Sequence, residues 1–197
     1  MKKSLLSTAI GDALAVMFAV RSFRTHDISF GYRMPAGFPG DVNRTHPASI
    51  VPGIMNTTVQ APRLFGDPVV IDNATNSYRG VTAGDITTFA VDGFVVRPYP
   101  TQQTTGGLNA SIGGGAPSIN QPVDVLSDGF IMAKCYVGAP LKGGAVYVYT
   151  GVSTGSHVQG GLEAAAVANA TLISNAFWNG PADSNGVTEL RTTAARI

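Results

Sequence analysis

The sequence predicts a mainly β protein: a single β-sandwich or barrel-like domain with Gly/Pro-rich loops and a short N-terminal helical arm. The 197 residues include 24 glycines and 12 prolines, which favours frequent turns and few long helices. Short runs of β-forming residues alternate with these turn residues, a pattern typical of sandwiches and barrels. Hydrophobic residues make up 44% of the chain and charged residues 13%, so the chain can bury a core and is not intrinsically disordered.

Residues 1–24 are predicted to form the helical arm. An apolar stripe at helical spacing supports this prediction, and it comprises Leu6, Ile10, Ala13, Met17 and Val20. Only 17 residues separate Lys3 from Arg21, and Asp12 interrupts them, whereas a membrane-spanning helix needs about 20 apolar residues. We expect the arm to dock on its own domain or on a partner. A cleavable signal peptide is the alternative, with Ala13-Leu14-Ala15 as the cleavage site.

Residues 25–197 are predicted to form one β-rich domain. The segment Gly31–Gly40 is extended or looped because it holds three glycines and two prolines. Asp67–Asp72 is a short strand candidate, and Thr87–Val96 is another because it is rich in β-formers. Two glycine clusters predict a flexible loop at 102–121.

The C-terminal third contains the clearest strands. Predicted strands cover Phe130–Val137, Ala145–Thr150, Thr171–Trp178 and Val187–Thr192. An Asp-Ser-Asn-Gly turn at 183–186 separates the last two strands. Leu162–Ala170 has helical propensity because it consists mostly of alanine.

The composition favours contact with other proteins. The formal net charge is +1, so no strong field attracts nucleic acid or an anionic membrane. Lysine and glutamate are scarce, which is commoner where much of a surface is buried against partners. The one cysteine, Cys135, rules out an internal disulfide, and its apolar surroundings predict a core residue.

One run suggests an enzyme, but its context argues against one. Gly151-Val152-Ser153-Thr154-Gly155 matches G-x-S-x-G and follows a predicted strand. A nucleophile elbow needs an acid and then a histidine later in the chain. His157 is the only later histidine and no acid lies between, so we predict that the protein is not an enzyme. A small hydrolase built on Ser153 stays open as an alternative.

No cofactor or metal site is expected. His26, His46 and His157 lack the spacing of metal ligands. The glycine run at 113–115 lacks the following Lys-Ser/Thr of a phosphate-binding loop.

Two segments place arginine beside aromatic rings, with prolines that restrict the backbone. These segments are Gly31–Arg44 and Val95–Gln102. Arginine and tyrosine are favoured interface anchors, and a rigid loop loses less entropy on binding. The predicted interface residues are Tyr32, Arg33, Phe38, Arg44, Arg97 and Tyr99, together with Leu6, Ile10 and Met17 of the arm. The alternative is that both segments are loops packed within the domain.

Several runs, in a fixed order, resemble the structural cement or capsid decoration proteins of tailed bacteriophages. They are GYRMPAGFPGDVNR from Gly31, VVRPYPTQ from Val95, DVL from Asp124, GFIM from Gly129, KGGAVYV from Lys142, HVQGG from His157 and GVTEL from Gly186. The resemblance extends from Gly31 to Leu190, which is most of the chain.

The resemblance implies a β-rich domain on the outside of a phage capsid, which bridges neighbouring major capsid subunits and reinforces the shell. It implies the major capsid protein and further copies of the chain, as a dimer or trimer, as partners. Direct contact with nucleic acid or a membrane is not expected, because the net charge is only +1. It implies no catalytic residues, and it places Leu162–Ala170 in the sheet. The expected location is the outer surface of the virion, after assembly in the bacterial cytoplasm, where disulfides are rare.

A secreted carbohydrate-binding β module is the alternative function. Such a module needs exposed aromatic rings for sugar stacking, and the chain has one tryptophan, Trp178.

Overall fold

The computed structural model describes residues 37–44, 47–56, 62, 64–83, 85, 90–98 and 117–194. Within these ranges the chain is mostly β, which confirms the predicted fold class. The strands are β1 (Ser49–Ile54), β2 (Pro68–Asp72), β3 (Ser77–Gly80), β4 (Gly93–Val95), β5 (Pro122–Val137), β6 (Gly144–Tyr149), β7 (Leu162–Glu163), β8 (Ala170–Trp178) and β9 (Val187–Thr192). β5 and β7 pair in parallel, and the other paired strands are antiparallel.

The 16-residue strand β5 connects the two parts of the sheet. Its first half pairs with β1 and β4, and its second half pairs with β9 and, at its end, with β7. The stretch of β5 between its pairings with β4 and with β7 is bonded to the Gly40–Asp41 segment. The Gly40 N–H donates to the Met132 carbonyl at 2.7 Å, and the Met132 N–H donates to the Asp41 carbonyl at 2.8 Å. The backbone of β5 is therefore hydrogen-bonded along its length.

The strand pairings close into two rings that share β5. In the first ring, β5 pairs with β4, β4 with β2 and β2 with β3, and a bridge between Met55 and Tyr78 returns to the end of β1. In the second ring, the order is β5, β7, β6, β8, β9 and again β5. Closed rings leave fewer strand edges to pair with other chains. The barrel-like form of the prediction therefore describes the topology best.

Each ring has its own hydrophobic core. The first core contains Met55, Phe65, Val69, Tyr78, Val95, Val123 and Val125. The second core includes Phe94, Leu126, Ile131, Val146, Ile173, Trp178 and Leu190. Strands β2, β4 and β5 contribute to both cores because successive side chains of a strand point to opposite faces. These three strands form the wall between the cores.

Most strand predictions for the described residues are confirmed, with shifted ends. β2, β6, β8 and β9 match their predicted segments, and β5 begins before the predicted Phe130. Within the predicted Thr87–Val96 the described strand is β4 alone. The sequence analysis missed β1 and β3.

The Asp-Ser-Asn-Gly turn is confirmed. The Asp183 carboxylate accepts hydrogen bonds from the Asn185 N–H at 2.8 Å and the Val187 N–H at 2.9 Å. Gly186 has a φ of 78°, a value that glycine adopts without a steric penalty. The turn thereby directs the chain into β9.

The prediction that all of Leu162–Ala170 joins the sheet is wrong. Leu162 and Glu163 form β7 and Ala170 begins β8, but residues 164–169 between them belong to no strand. The Ala164 N–H donates to the Val137 carbonyl at 2.8 Å, and Asn169 adopts a φ of 65°. The connection turns because β6 lies between β7 and β8 in the ring.

The predicted arm at 1–24 lies outside the described residues. So do residues 102–116 of the predicted flexible loop.

Candidate functional site

Arg44, one of the predicted interface residues, is held on the surface by two contacts. Its Nε and Nη2 donate to the two carboxylate oxygens of Glu189 at 2.9 and 2.7 Å. Its guanidinium lies 4.3 Å from the centre of the Phe130 ring. Such a two-point bond fixes the plane of the guanidinium and its orientation over the ring.

A second arginine contacts the same ring. The Arg191 guanidinium lies 4.8 Å from the Phe130 ring centre, and Nη2 donates to Asp128 at 3.0 Å. Arg191 is the strand partner of both Phe130 and Phe177. We call Arg44, Asp128, Phe130, Glu189 and Arg191 the arginine–phenylalanine cluster. Its cations face carboxylates of the same chain, so the cluster is a rigid surface with balanced charge.

Arg97, in contrast, is buried. Its Nε donates to the Pro39 carbonyl at 3.2 Å and lies 3.6 Å from the Asp41 carboxylate. Its guanidinium lies over the rings of Phe38 and Phe65, at 5.4 and 5.5 Å. Arg97 therefore fixes the described part of the Gly/Pro segment on the domain, as the packed-loop alternative predicts.

Of the remaining predicted interface residues, the structure describes Phe38 alone. Phe38 is 45% exposed and is available to a partner. The others lie outside the described residues, and they are Leu6, Ile10, Met17, Tyr32, Arg33 and Tyr99.

The sequence analysis missed an exposed apolar face on β1. Ile50, Pro52 and Ile54 alternate along the strand and so share one face. All three are exposed, Ile54 at 56%. We call these residues the β1 face. The signal was present in the uncharged run from Ala48 to Met55, which also contains Pro52 and Gly53.

A second exposed apolar surface lies on β8, in the other ring. Leu172 and Phe177 are 43% and 40% exposed, while Ile173, Ala176 and Trp178 of the same strand are buried. We call Leu172 and Phe177 the β8 face. We take this pair of exposed apolar side chains as a candidate contact surface.

Ser153 of the G-x-S-x-G run and the nearby His157 have separate partners. The Ser153 Oγ accepts a hydrogen bond from the Gln159 N–H at 3.0 Å. The His157 Nδ1 lies 2.7 Å from the Glu163 Oε1. The structure therefore gives Ser153 a role in the loop and pairs the histidine with a carboxylate.

Cys135 is a core residue, as predicted. The side chain belongs to the second core and is buried. Burial raises the pKa of its thiol to about 11, because a thiolate loses hydration there. The thiol is therefore protonated and unreactive at neutral pH.

Two observations concern metals and membranes. The described ranges contain no group of three His, Cys, Asp or Glu residues that could hold a metal ion. Nor does any helix within them have the length and hydrophobicity needed to cross a membrane.

Two observations bear on sugar binding. Trp178 is fully buried, so it cannot stack on a sugar. A cavity between β2 and the β6–β8 pair, lined by Val70, Val148 and Leu172 among others, has a volume of about 20 Å³. It has room for a water molecule but not for a sugar ring.

The sequence matches the family model of the XM1 gp53 minor capsid protein over residues 28–192. The chain belongs to this minor capsid family. Members are structural proteins of the virion, so the chain is a capsid-associated phage protein, as the resemblance predicted. This membership implies association with capsid components and favours a structural rather than an enzymatic role.

The fold agrees with this membership. A chain in a solved structure of the capsid of Myoviridae phage XM1 is similar at 17% sequence identity, with a TM-score of 0.56. The similarity covers 82% of this chain and 93% of that chain. No curated protein matches the sequence.

The arginine–phenylalanine cluster unites three of the runs that resemble capsid decoration proteins. Arg44 ends the first run, Phe130 belongs to GFIM and Glu189 to GVTEL. Their side chains meet through the contacts of Arg44. Three runs that are distant in the sequence therefore contribute side chains to one cluster.

Proposed function

We propose that this protein binds the outside of a phage capsid, bridges neighbouring major capsid subunits and so reinforces the shell. The observation that carries the proposal is the presence of two exposed apolar surfaces on different rings. The β1 face belongs to the first ring and the β8 face to the second. A protein that joins two subunits needs two such surfaces.

The strand β5 supports this role mechanically. It takes part in both rings and is hydrogen-bonded to β1 and β4 in one half and to β9 in the other. Pulling the two rings apart would require breaking hydrogen bonds along this strand. A bridge of this kind adds contacts that must separate before the shell opens.

Attachment through many copies compensates for weak individual contacts. A bound copy that touches one subunit meets the second at a high effective concentration. The scarcity of charge lowers the desolvation cost of such contacts. A dimer or trimer of the chain would add further contacts in the same way.

The proposal is tested by comparing assembled shells with isolated capsid subunits. Purified protein is added to shells that lack it, and bound copies are counted after sedimentation. We expect the affinity for shells to exceed the affinity for isolated subunits at least about tenfold. Saturated shells should disassemble at a higher temperature than bare shells, and bound copies should be accessible to protease added from outside.

Two variants test the faces. Ile54→Asp and Phe177→Asp each place a carboxylate on one face, and each should lower shell affinity about tenfold or more. Ser184→Asp, in an exposed polar turn, is the control for added charge and should bind normally. Equal affinity for shells and isolated subunits, with no gain in shell stability, would contradict bridging.

A further inference from the structure

The outer edge of β1 is unpaired along most of the strand. Within the described part of the chain, β5 is the strand that pairs with Ser49–Ile54. On its other side β1 reaches β3 through a bridge between Met55 and Tyr78, and the Asn56 N–H donates to the Tyr78 carbonyl at 2.7 Å. Because β3 begins at Ser77, this contact covers the end of β1 alone. Most of β1 is therefore an edge strand.

The backbone groups of Ile50, Pro52 and Ile54 point to this outer side. The Met55 N–H donates to the Gln121 carbonyl, on the side of β5, at 3.2 Å. Successive residues of a strand direct their backbone groups to opposite sides, so every second residue before Met55 also faces β5, and the three between them face away. We call the outward N–H and carbonyl groups of these three residues the β1 edge. Its two isoleucine N–H groups have no acceptor among the described residues, and proline has no N–H.

Apart from Pro52, β1 has the features of a strand that pairs with other chains. The run from Ala48 to Met55 carries no charge. Ile50 and Ile54 are 45% and 56% exposed on one face of the strand, and Val51 is 41% exposed on the other. Short uncharged segments of β-branched residues on an exposed edge tend to pair with copies of themselves, and such segments lack proline. The proline in the middle of this edge is therefore the exception that needs a cause.

We propose that Pro52 blocks pairing of the β1 edge with the same edge of a second copy. If two β1 strands paired antiparallel with Pro52 opposite Pro52, each Ile50 would face an Ile54 and exchange two backbone hydrogen bonds with it. The central pair would form none, because both prolines lack the N–H, and two carbonyls would be left without donors. Any other register across Pro52 would leave at least one carbonyl of the added strand unpaired.

This inference goes beyond the proposed function and does not depend on it. It assigns Pro52 to the control of self-association, whereas the bridging proposal concerns contacts with capsid subunits. A strand whose edge is blocked contacts other proteins through its side chains and not by strand addition. The exposed isoleucines of β1 can then take part in contacts without joining copies of the chain edge to edge.

The test compares two replacements of proline by valine in the full chain. Pro52→Val supplies the missing N–H, and Pro181→Val makes the same change in an exposed segment outside the strands. Both variants and the wild type are compared by sedimentation velocity over a range of concentrations. We expect Pro52→Val to self-associate about tenfold or more tightly than the wild type, because the central pair no longer leaves carbonyls without donors. Pro181→Val should sediment like the wild type.

Amide hydrogen exchange shows whether the association uses the β1 edge. The N–H groups of Ile50 and Ile54 should exchange rapidly in the wild type and slowly in associated Pro52→Val, because strand pairing engages them in hydrogen bonds. Circular dichroism checks that each variant is folded. If Pro52→Val is unfolded, Pro52→Ala takes its place, since it restores the N–H with a smaller side chain and should associate in the same way.

Three results would overturn the inference. The first is sedimentation of the folded Pro52 variant that matches the wild type or the Pro181→Val control. The second is association that leaves the N–H groups of Ile50 and Ile54 in rapid exchange, since the contact then lies elsewhere. The third is slow exchange of both groups in the wild type, which would mean that Pro52 leaves the edge free to pair. None of these results bears on whether the protein binds capsid shells.

Discussion

Val125 and Leu126 are consecutive residues of β5, both fully buried, and they belong to different hydrophobic cores. Their strand partners in β4, Val95 and Phe94, divide in the same way. A strand buried on both faces is typical of the middle layer of a domain. Because β5 belongs to both rings, the stability of each ring depends on the backbone hydrogen bonds of this one strand.

This shared strand predicts that the two cores unfold together. Val125→Ala removes contacts in the first core, while Trp178, the one tryptophan, reports on the second. We expect the variant to lose about 1–3 kcal/mol of unfolding free energy. The urea midpoints from tryptophan fluorescence and far-UV circular dichroism should fall equally.

The control for this prediction is Leu141→Ala. Leu141 is 65% exposed, so its loss should change the unfolding free energy by less than about 0.5 kcal/mol. If Val125→Ala shifts the circular dichroism midpoint but leaves the fluorescence midpoint in place, the cores unfold independently.

Gly40 should tolerate no side chain. Its φ is +89°, and an added Cβ would lie 3.0 Å from the Arg97 backbone nitrogen and against the Phe65 Cβ. We expect Gly40→Ala to lower the unfolding free energy by about 3 kcal/mol or more. Gly143 is the matched control, because its φ is +76° but a Cβ there meets nothing within 4 Å. Gly143→Ala should cost about 1–2 kcal/mol, the backbone strain alone. Equal losses in chemical denaturation would show that close packing at Gly40 is unimportant.

Asp85 should make stability depend on pH in the acid range. Its pKa is lowered first by its hydrogen bonds with the Arg79 guanidinium and further by those from Thr82. A lowered pKa in the folded state means that the stabilisation is present above the unfolded-state pKa, near 3.8, and is lost as the pH falls through the folded-state value.

The variant Asp85→Asn tests this assignment. At pH 7 it should be less stable than the wild type by about 1–2 kcal/mol. In urea titrations from pH 7 down to pH 2.5 the difference should shrink below about pH 4, as Asp85 becomes protonated. A difference that does not change with pH would mean that the Arg79–Asp85 ion pair is not its source.

The Arg44–Glu189 pair should contribute modestly to stability. The Arg44 side chain is 50% exposed and that of Glu189 is 14% exposed, so solvent screens the attraction. A double-mutant cycle with Arg44→Ala and Glu189→Gln should give a coupling of about 0.5–1 kcal/mol that decreases in 1 M salt. Arg44→Lys should recover little of it, because an ammonium cannot form the two parallel bonds. Full recovery by lysine would show that charge alone matters.

Part of the fold followed directly from residue patterns. The β-formers of β2, β6, β8 and β9 stand between turn residues, and local propensity and tertiary structure agree there. β1, which contains Pro52, was not among the predicted strands. The Asp124 carbonyl accepts from the N–H of Val96, the residue after β4. Pro52, opposite Asp124, therefore sits where β5 needs no donor from it. An edge strand tolerates proline at such a position.

The site was predictable in its residue types but not in its contacts. Arginine and aromatic residues in Gly31–Arg44 and Val95–Gln102 indicated a contact region. The sequence could not show that Arg97 is buried while Arg44 lies over Phe130. Arg97 contacts Pro39, which is 58 positions away, and Arg44 contacts Phe130, which is 86 positions away. Nor could it show that the outer edge of β1 is unpaired, because pairing depends on the surrounding strands.

The sequence by itself determined the β class, the positions of most described strands and the kinship with phage capsid proteins. Alternating side chains, turn residues and ordered motifs are local properties, so they can be recognised in the sequence without the structure. Only the tertiary structure decided that the strands close into two rings around β5 and that two apolar faces remain uncovered. Strand pairing and side-chain burial depend on residues far apart in the chain, and local propensity does not specify which of them meet.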